Sequence, residues 1–290
     1  MKIVPGPASR QSGEQIAKLL HVETVPLVFK IFPDGESYVR LEGNVRDEHV
    51  VIVQTTSPPQ EKRLIQLALI ADAAKRNQAA KVTAVVPYLA YARQDRIFLP
   101  GETISIQTIT GMLKAAGVDE LLTVNVHQEK VLSKLPLPGK SVSAGALLAE
   151  YFKTKGYEKA FALAPDENAL HIVEQAKRIL GDGCGYLEKH RDRYTGKVST
   201  EKKTLAVQDK TVIIFDDIIS SGGTIIQAAK ILRDLGATTV LAACVHPLLA
   251  ADAEKRILES GVQEIVGTDS VESPVGKVSL APLIADALTH

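Results

Sequence analysis

Residues 211–232 read TVIIFDDIISSGGTIIQAAKIL. An apolar run at residues 212–215 leads to two adjacent carboxylates, Asp216 and Asp217. Ser220, Ser221, Gly222, Gly223 and Thr224 follow. A helical pattern comes next, with Ala228, Ile231, Leu232 and Leu235 at i, i+3, i+4 and i+7 until Gly236 stops it. The spacing predicts a four-residue strand ending at the carboxylates, then a short loop and a helix. A run without alternation suits a strand buried on both faces of a parallel sheet. In open sheets of that kind, ligands lie beyond the carboxyl ends of the strands. Glycines let backbone N–H groups turn around a phosphate, hydroxyls add donors, and the helix N-terminus adds partial positive charge. An Asp pair alone is most often a solvated strand end. Here the carboxylates would repel a phosphate but can accept hydrogen bonds from sugar hydroxyls nearby. Phosphate donors beside diol acceptors describe a site for a ribose phosphate.

The same rhythm continues outward. Apolar runs at residues 50–53, 82–86, 121–126, 161–164, 240–245 and 264–266 predict further strands. Leu64, Leu67, Ala68 and Ala71 mark one helix between them, and Ile106, Ile109, Thr110 and Leu113 another that ends before Gly117. This βαβα order predicts an α/β fold with helices on both faces of each sheet. A strand, a loop and a helix occur at residues 50–75 and again at 212–235. Each is followed by a strand with Pro near its end, which suggests an internal duplication. The Pro and Gly cluster at residues 135–141 predicts a boundary, giving domains 1–140 and 141–290, with the final segment able to pack back on the first.

Composition narrows the function. Lys plus Arg and Asp plus Glu are 34 each, so the formal net charge is zero, which disfavours a nucleic-acid partner. No apolar run reaches the length of a membrane-spanning helix. The two cysteines, Cys184 and Cys244, form no paired spacing. This disfavours a disulfide framework or zinc site and fits a cytoplasmic protein. Other phosphate motifs fail: Gly139-Lys140-Ser141 lacks the preceding loop Gly, since position 134 is Lys, and GDGCGY has Tyr186 where a third Gly is required.

Five further segments stand with the loop: FPDGE at 32–36, PYLAYARQDR at 87–96, NVHQEK at 125–130, APDE at 164–167 and LEKHR at 187–191. With FDDIISSGGT they make the chain resemble ribose-phosphate diphosphokinases, the phosphoribosyl-diphosphate synthetase family, over nearly its whole length. Ser220 and the short C-terminus are similar to archaeal members. The resemblance implies two phosphoribosyltransferase-like domains, each a mainly parallel sheet flanked by helices. It implies ATP contacts from Phe32, Asp34, Gly35, Glu36, Arg93, Gln94 and Asp95, and a Mg²⁺ site at His127 and Asp166. Lys189 and Arg191 would be catalytic on a flexible loop, with Arg191 also touching ribose 5-phosphate. Asp216, Asp217, Ser220, Ser221, Gly222, Gly223 and Thr224 would hold that sugar. The 32–36 turn would serve a neighbouring subunit, which implies a homo-oligomer, a dimer or higher. The implied reaction moves the diphosphoryl group of ATP to the C1 hydroxyl of ribose 5-phosphate and releases AMP.

Two positions depart from the family pattern. Pro165-Asp166-Glu167-Asn168-Ala169 stands where the family has Pro-Asp-x-Gly-Gly, and a left-handed backbone at Ala169 would be costly. Asn125 stands where the family usually has Asp, two residues before His127. The rival functions are a phosphoribosyltransferase, which needs only one such domain, and a non-catalytic homologue, which would lack the cations at 189 and 191 or an intact ribose loop.

Overall fold

The computed structural model describes residues 1–191, 198–201 and 205–290, and within 188–191 and 198–201 the backbone alone. The chain divides into two compact units, Met1–Val142 with Ser279–His290, and Ser143–Val278.

The first unit begins with β1 (Lys2–Pro5), α1 (Arg10–Leu20) and an antiparallel hairpin, β2 (Leu27–Ile31) and β3 (Ser37–Leu41). Next come β4 (His49–Val53), α2 (Gln60–Arg76), β5 (Lys81–Val86), α3 (Ser105–Ala115), β6 (Glu120–Val124) and β7 (Gly139–Val142). The order β1-β4-β5-β6-β7 is parallel throughout. The continuous apolar runs account for the centre: Val50–Val53 of β4 and Val82–Val86 of β5 are buried, and α2 lays Leu67, Ile70, Ala71 and Ala74 into the same core. Each Val, Leu or Ile among them contributes about 1.5–3 kcal/mol when fully buried. The expected strand at 121–126 stops at Val124 because Asn125 turns left-handed, with φ 41°. The cluster at 135–141 is more than a connection, since its end forms β7 at the sheet edge.

The second unit runs α4 (Gly145–Thr154), β8 (Phe161–Ala164), α5 (Leu170–Leu180), β9 (Cys184–Tyr186), then a second antiparallel hairpin, β10 (Glu188–Arg191) and β11 (Val198–Glu201). It continues with β12 (Thr211–Ile219), α6 (Gly223–Asp234), β13 (Thr239–Pro247), α7 (Ala253–Glu259), β14 (Ile265–Thr268) and β15 (Gly276–Val278). Its sheet, ordered β15-β14-β13-β12-β8-β9, is also parallel. Helix α8 (Ala281–Thr289) closes the chain within the first unit.

One topology is therefore laid down twice. Strands β1, β4, β5, β6 and β7 correspond in order and sense to β8, β12, β13, β14 and β15. Each copy inserts a hairpin before the strand that pairs next to its first, β4 in one and β12 in the other, and the second copy adds β9 on the far side of β8. The helix after each last strand packs in the other unit. Helix α4 follows β7 but lies on α5, with Phe152 edge-on to Phe215 of β12 at 6.3 Å. Helix α8 follows β15 but lies on α1, where Ser279 Oγ donates to Gln15 Oε1 at 3.1 Å.

Candidate active site

Strand β12 is longer than its apolar run predicts. It continues through Asp216 and Asp217 to Ile219, with Asp216 opposite Cys244 and Ile218 opposite His246 on β13. The pairing to β8 stops earlier, at Ile214, so β12 projects beyond that neighbour and carries both carboxylates past it. Each carboxylate folds back on the chain: Asp216 Oδ1 accepts from Asp217 N at 2.9 Å, and Asp217 Oδ1 accepts from Ile218 N at 2.8 Å. Burial, then the charges of Asp217 and Asp166, push the Asp216 carboxyl well above the ordinary carboxylate range. Three carboxylates of the second unit thus share one field.

Beyond Ile219 the chain makes a tight loop of Ser220, Ser221 and Gly222 and enters α6 at Gly223. Gly222 is left-handed, with φ 77°, and a Cβ there would stand 2.8 Å from Ile257 Cδ1 and Cγ1, so both backbone and packing require glycine. No side chain caps the helix, and the amides of Ser221 and Gly222 donate to no backbone carbonyl among the described residues. Ser221 and Gly223 are exposed. The loop therefore offers amides and hydroxyls at a helix N-terminus, which is an anion-binding arrangement.

Asp166 follows β8, the strand beside β12. Its Oδ1 accepts from Asn168 N at 3.1 Å, and residues Glu167–Ala169 form a 3-10 turn running into α5. Neither Asn168 nor Ala169 has a positive φ; Ala169 sits at φ −89°, ψ 5°. The left-handed backbone that would penalise Ala169 is absent, so this departure needs no glycine. His127 lies half-buried three residues past β6, after the left-handed Asn125, a conformation that Asn tolerates well. Among the described residues, no group of three or more His, Cys, Asp or Glu side chains could by itself hold a metal ion.

In the first unit, residues 32–36 are the turn joining β2 to β3. Phe32 N donates to Glu36 O at 2.8 Å, Gly35 N to Phe32 O at 2.8 Å and Glu36 N to Asp34 Oδ1 at 3.2 Å. Gly35 is left-handed at φ 95°, and the Phe32 ring stands 46% exposed, edge-on to Tyr38. Arg93, Gln94 and Asp95 follow the left-handed Tyr91, φ 66°, whose hydroxyl donates to Glu61 Oε1 at 2.5 Å. That bond holds the Glu61 carboxyl below its ordinary range and the Tyr91 phenol above its own. Arg93 is exposed. Gln94 Nε2 turns into its own loop, 3.3 Å from Glu102 Oε2, and Glu102 also accepts from Phe98 N and Leu99 N.

Lys189 and Arg191 lie on the backbone of β10, opposite Thr200 and Val198. Their side chains fall outside the described residues. Cys244 was not legible as part of the site: its buried thiol accepts from Ile219 N at 3.2 Å and lies 3.8 Å from Asp217 O. Burial and then Asp216 push that thiol well up. Only register places it there, and register is invisible in an apolar run such as VLAACV.

Residues 1–117 match the N-terminal domain of ribose phosphate pyrophosphokinase, and residues 141–278 match the phosphoribosyl transferase domain. The chain is 43% identical over 272 residues to the ribose-phosphate pyrophosphokinase of Saccharolobus solfataricus, covering 93% of each chain. It is 40% identical to that of Sulfurisphaera tokodaii, covering 98% of this chain and 99% of the other. The structure superposes on the phosphoribosylpyrophosphate synthetase of Mycobacterium smegmatis with a TM-score of 0.87 at 28% identity, covering 99% of this chain and 97% of that one. Two matched domains and similarity over nearly the whole chain lead to one conclusion: the chain belongs to the ribose-phosphate pyrophosphokinase family.

Proposed function

We propose that the loop after β12 holds ribose 5-phosphate, and that the protein transfers the diphosphoryl group of ATP to its C1 hydroxyl, giving 5-phosphoribosyl 1-diphosphate and AMP. The observation that carries this reading is the composition of one strand end. Asp216 and Asp217 offer acceptors for a diol, and amides and hydroxyls of residues 220–224 offer donors for a phosphate at the start of α6. The C1 oxygen forms a bond to the β-phosphorus and gives up its proton to water, while the bond from that phosphorus to the α–β bridging oxygen breaks and AMP leaves with that oxygen. Such a transfer needs alignment and neutralisation of charge more than covalent help from the protein.

ATP is assigned to the first unit: Phe32 for stacking on the base, Asp34, Gly35 and Glu36 at the same turn, and Arg93, Gln94 and Asp95 after Tyr91. The outward exposure of Phe32 on a hairpin tip suits a turn offered to a second subunit, and we assign a homo-oligomer of two or more chains. Mg²⁺ is assigned to Asp166 and His127. Mg²⁺ takes one or two carboxylates plus substrate phosphates and waters, so a three-ligand protein cage is not required. Burial, and then the charges of Asp217 and Asp166, hold Asp216 toward its protonated form, and the charge part of that burden is of the kind a divalent cation relieves. When bound, the ion would neutralise charge on the migrating diphosphoryl group. Lys189 and Arg191 are assigned as cations that meet the developing charge, Arg191 also touching the sugar phosphate. No helix among the described residues is long and apolar enough to cross a membrane. The free thiols Cys184 and Cys244 suit a reducing cytoplasm.

The test is formation of AMP and 5-phosphoribosyl 1-diphosphate from ATP, Mg²⁺ and ribose 5-phosphate, with Lys189→Ala alongside. A cation acting on charge that develops in transfer lowers kcat by about a hundredfold when removed, with little change in KM. Turnover of the variant within a few-fold of the parent protein contradicts the catalytic assignment, and absence of both products contradicts the reaction.

A further inference from the structure

The connection from β13 to α7, residues 248–252, and the first turns of α7 lie directly behind the ribose-phosphate loop. Three donors on this element reach three successive carbonyls. Leu249 N donates to Ile219 O at 3.0 Å, Ala250 N to Ser220 O at 3.0 Å and Arg256 Nη2 to Ser221 O at 2.9 Å. In a trans peptide the carbonyl of one residue and the N–H of the next point in opposite directions. Holding the carbonyls of Ile219, Ser220 and Ser221 toward the β13–α7 element therefore aims the N–H groups of Ser220, Ser221 and Gly222 away from it. Those are the amides that a phosphate must meet. The element carries backbone strain of its own: Leu249 and Ala251 are left-handed at φ 43° and 53° without being glycine. Ile257 of α7 packs so tightly under Gly222 that no Cβ fits between them.

We infer that Arg256 is a positioning residue for ribose 5-phosphate, fixing the Ser221–Gly222 peptide so that the Gly222 amide faces the sugar's phosphate. Arg256 touches no substrate in this account; it acts through the Ser221 carbonyl. The two neighbouring carbonyls are held by backbone amides that substitution leaves in place. Arg256 is thus the one side chain of this clamp that can be removed without altering the turn. It lies exposed on α7, where loss of its guanidinium leaves no buried hole.

This inference rests on the assignment of ribose 5-phosphate to the loop, and the test separates the two. KM values for ribose 5-phosphate and for ATP, and the thermal midpoint, are measured for Arg256→Met, Arg256→Lys and, as a control on the site itself, Asp217→Asn. The expected result for Arg256→Met is a rise of about five- to tenfold in KM for ribose 5-phosphate, the scale of one hydrogen bond, with KM for ATP and the thermal midpoint unchanged. Arg256→Lys, which keeps a cationic donor, should recover part of that loss. If Asp217→Asn weakens sugar binding while Arg256→Met does not, the clamp is wrong and the site stands. If neither variant changes KM for ribose 5-phosphate, the site assignment falls and the clamp with it. If Arg256→Met lowers the thermal midpoint and raises both KM values, and Lys restores nothing, the role is structural and the inference is overturned.

Discussion

Two loops occupy the same place in two copies of one topology: residues 54–59 between β4 and α2, and residues 220–222 between β12 and α6. The first is closed by its own protein. Gln54 N donates to Val85 O at 2.9 Å, Thr55 N to Ser9 Oγ at 2.8 Å and Thr56 N to Tyr88 O at 3.0 Å. Thr56 Oγ1 donates to Tyr88 O and accepts from Ala90 N, both at 2.8 Å, and Gln54 Oε1 accepts from Ala8 N. Gln54, Thr55, Thr56 and Ser57 are all buried. In the second loop the carbonyls are held, and the amides of Ser221 and Gly222 donate to no backbone carbonyl among the described residues. A buried amide without a partner is costly, so a loop either bonds to its own neighbours or stays open for a ligand. The strand–loop–helix unit does not decide which. The residues of the loop do: buried Gln54, Thr55, Thr56 and Ser57 in one copy, half-buried Ser220, exposed Ser221 and a left-handed Gly222 in the other.

The sharpest way to break this contrast is Gly222→Val, which puts a side chain against Ile257 at a left-handed position. We expect kcat/KM for ribose 5-phosphate to fall about a hundredfold, as for other displacements of a positioning group; near-parental kinetics would show that the open loop is not the sugar site. In the closed loop, Thr56→Val removes a hydroxyl that both donates and accepts while buried. Urea unfolding should register about 2 kcal/mol of lost stability with KM for ribose 5-phosphate unchanged. A sugar-binding defect there would blur the distinction between the loops.

Asp216→Asn trades function against stability. Sugar affinity should drop about tenfold, the loss of charge-assisted bonds, while the unliganded protein melts at a higher temperature because a half-buried, poorly solvated carboxylate next to Asp217 and Asp166 is gone. The folded carboxyl titrates above its ordinary 3.8, so the parent protein carries this burden at neutral pH and sheds it as pH falls through the folded value toward 3.8. The difference in thermal midpoint between parent and variant should shrink over that range; a constant difference would contradict it. The smallest effect belongs to His49, on β4. Burial, then Lys81 and the N-terminal amine, lower its pKa below 6.5, so the fold prefers the neutral ring. Stability should decline slightly as pH falls through 6.5, a decline absent in His49→Asn and unaffected by ribose 5-phosphate.

Much of this was legible in the sequence. The buried parallel strands announced themselves as unbroken Val, Ile and Ala runs, and SSGGT after DD marked the loop. The limits were physical. Strand β12 extends to Ile219 because β13 continues beside it, and a partner strand cannot be read from the runs themselves. The expected strain at Ala169 vanished because the 3-10 turn accommodates it at negative φ. Strands β1, β7, β9 and β15 hold Lys, Pro, Gly or Ser among their three or four residues, so no apolar run announces them. The exchange of α4 and α8 left a trace only as a last segment free to pack back. The roles of Cys244 and Arg256 depend on register and on the path of the 248–252 turn.

In the proposed function the loop after β12, and not its counterpart after β4, receives ribose 5-phosphate. Amide hydrogen exchange with and without the sugar phosphate tests it directly. Exchange should slow in peptides covering residues 216–226 and stay unchanged in peptides covering 54–59, where the amides of Gln54, Thr55 and Thr56 already have partners inside the protein. Slowing at residues 54–59, or at neither loop under saturating ribose 5-phosphate, would contradict it.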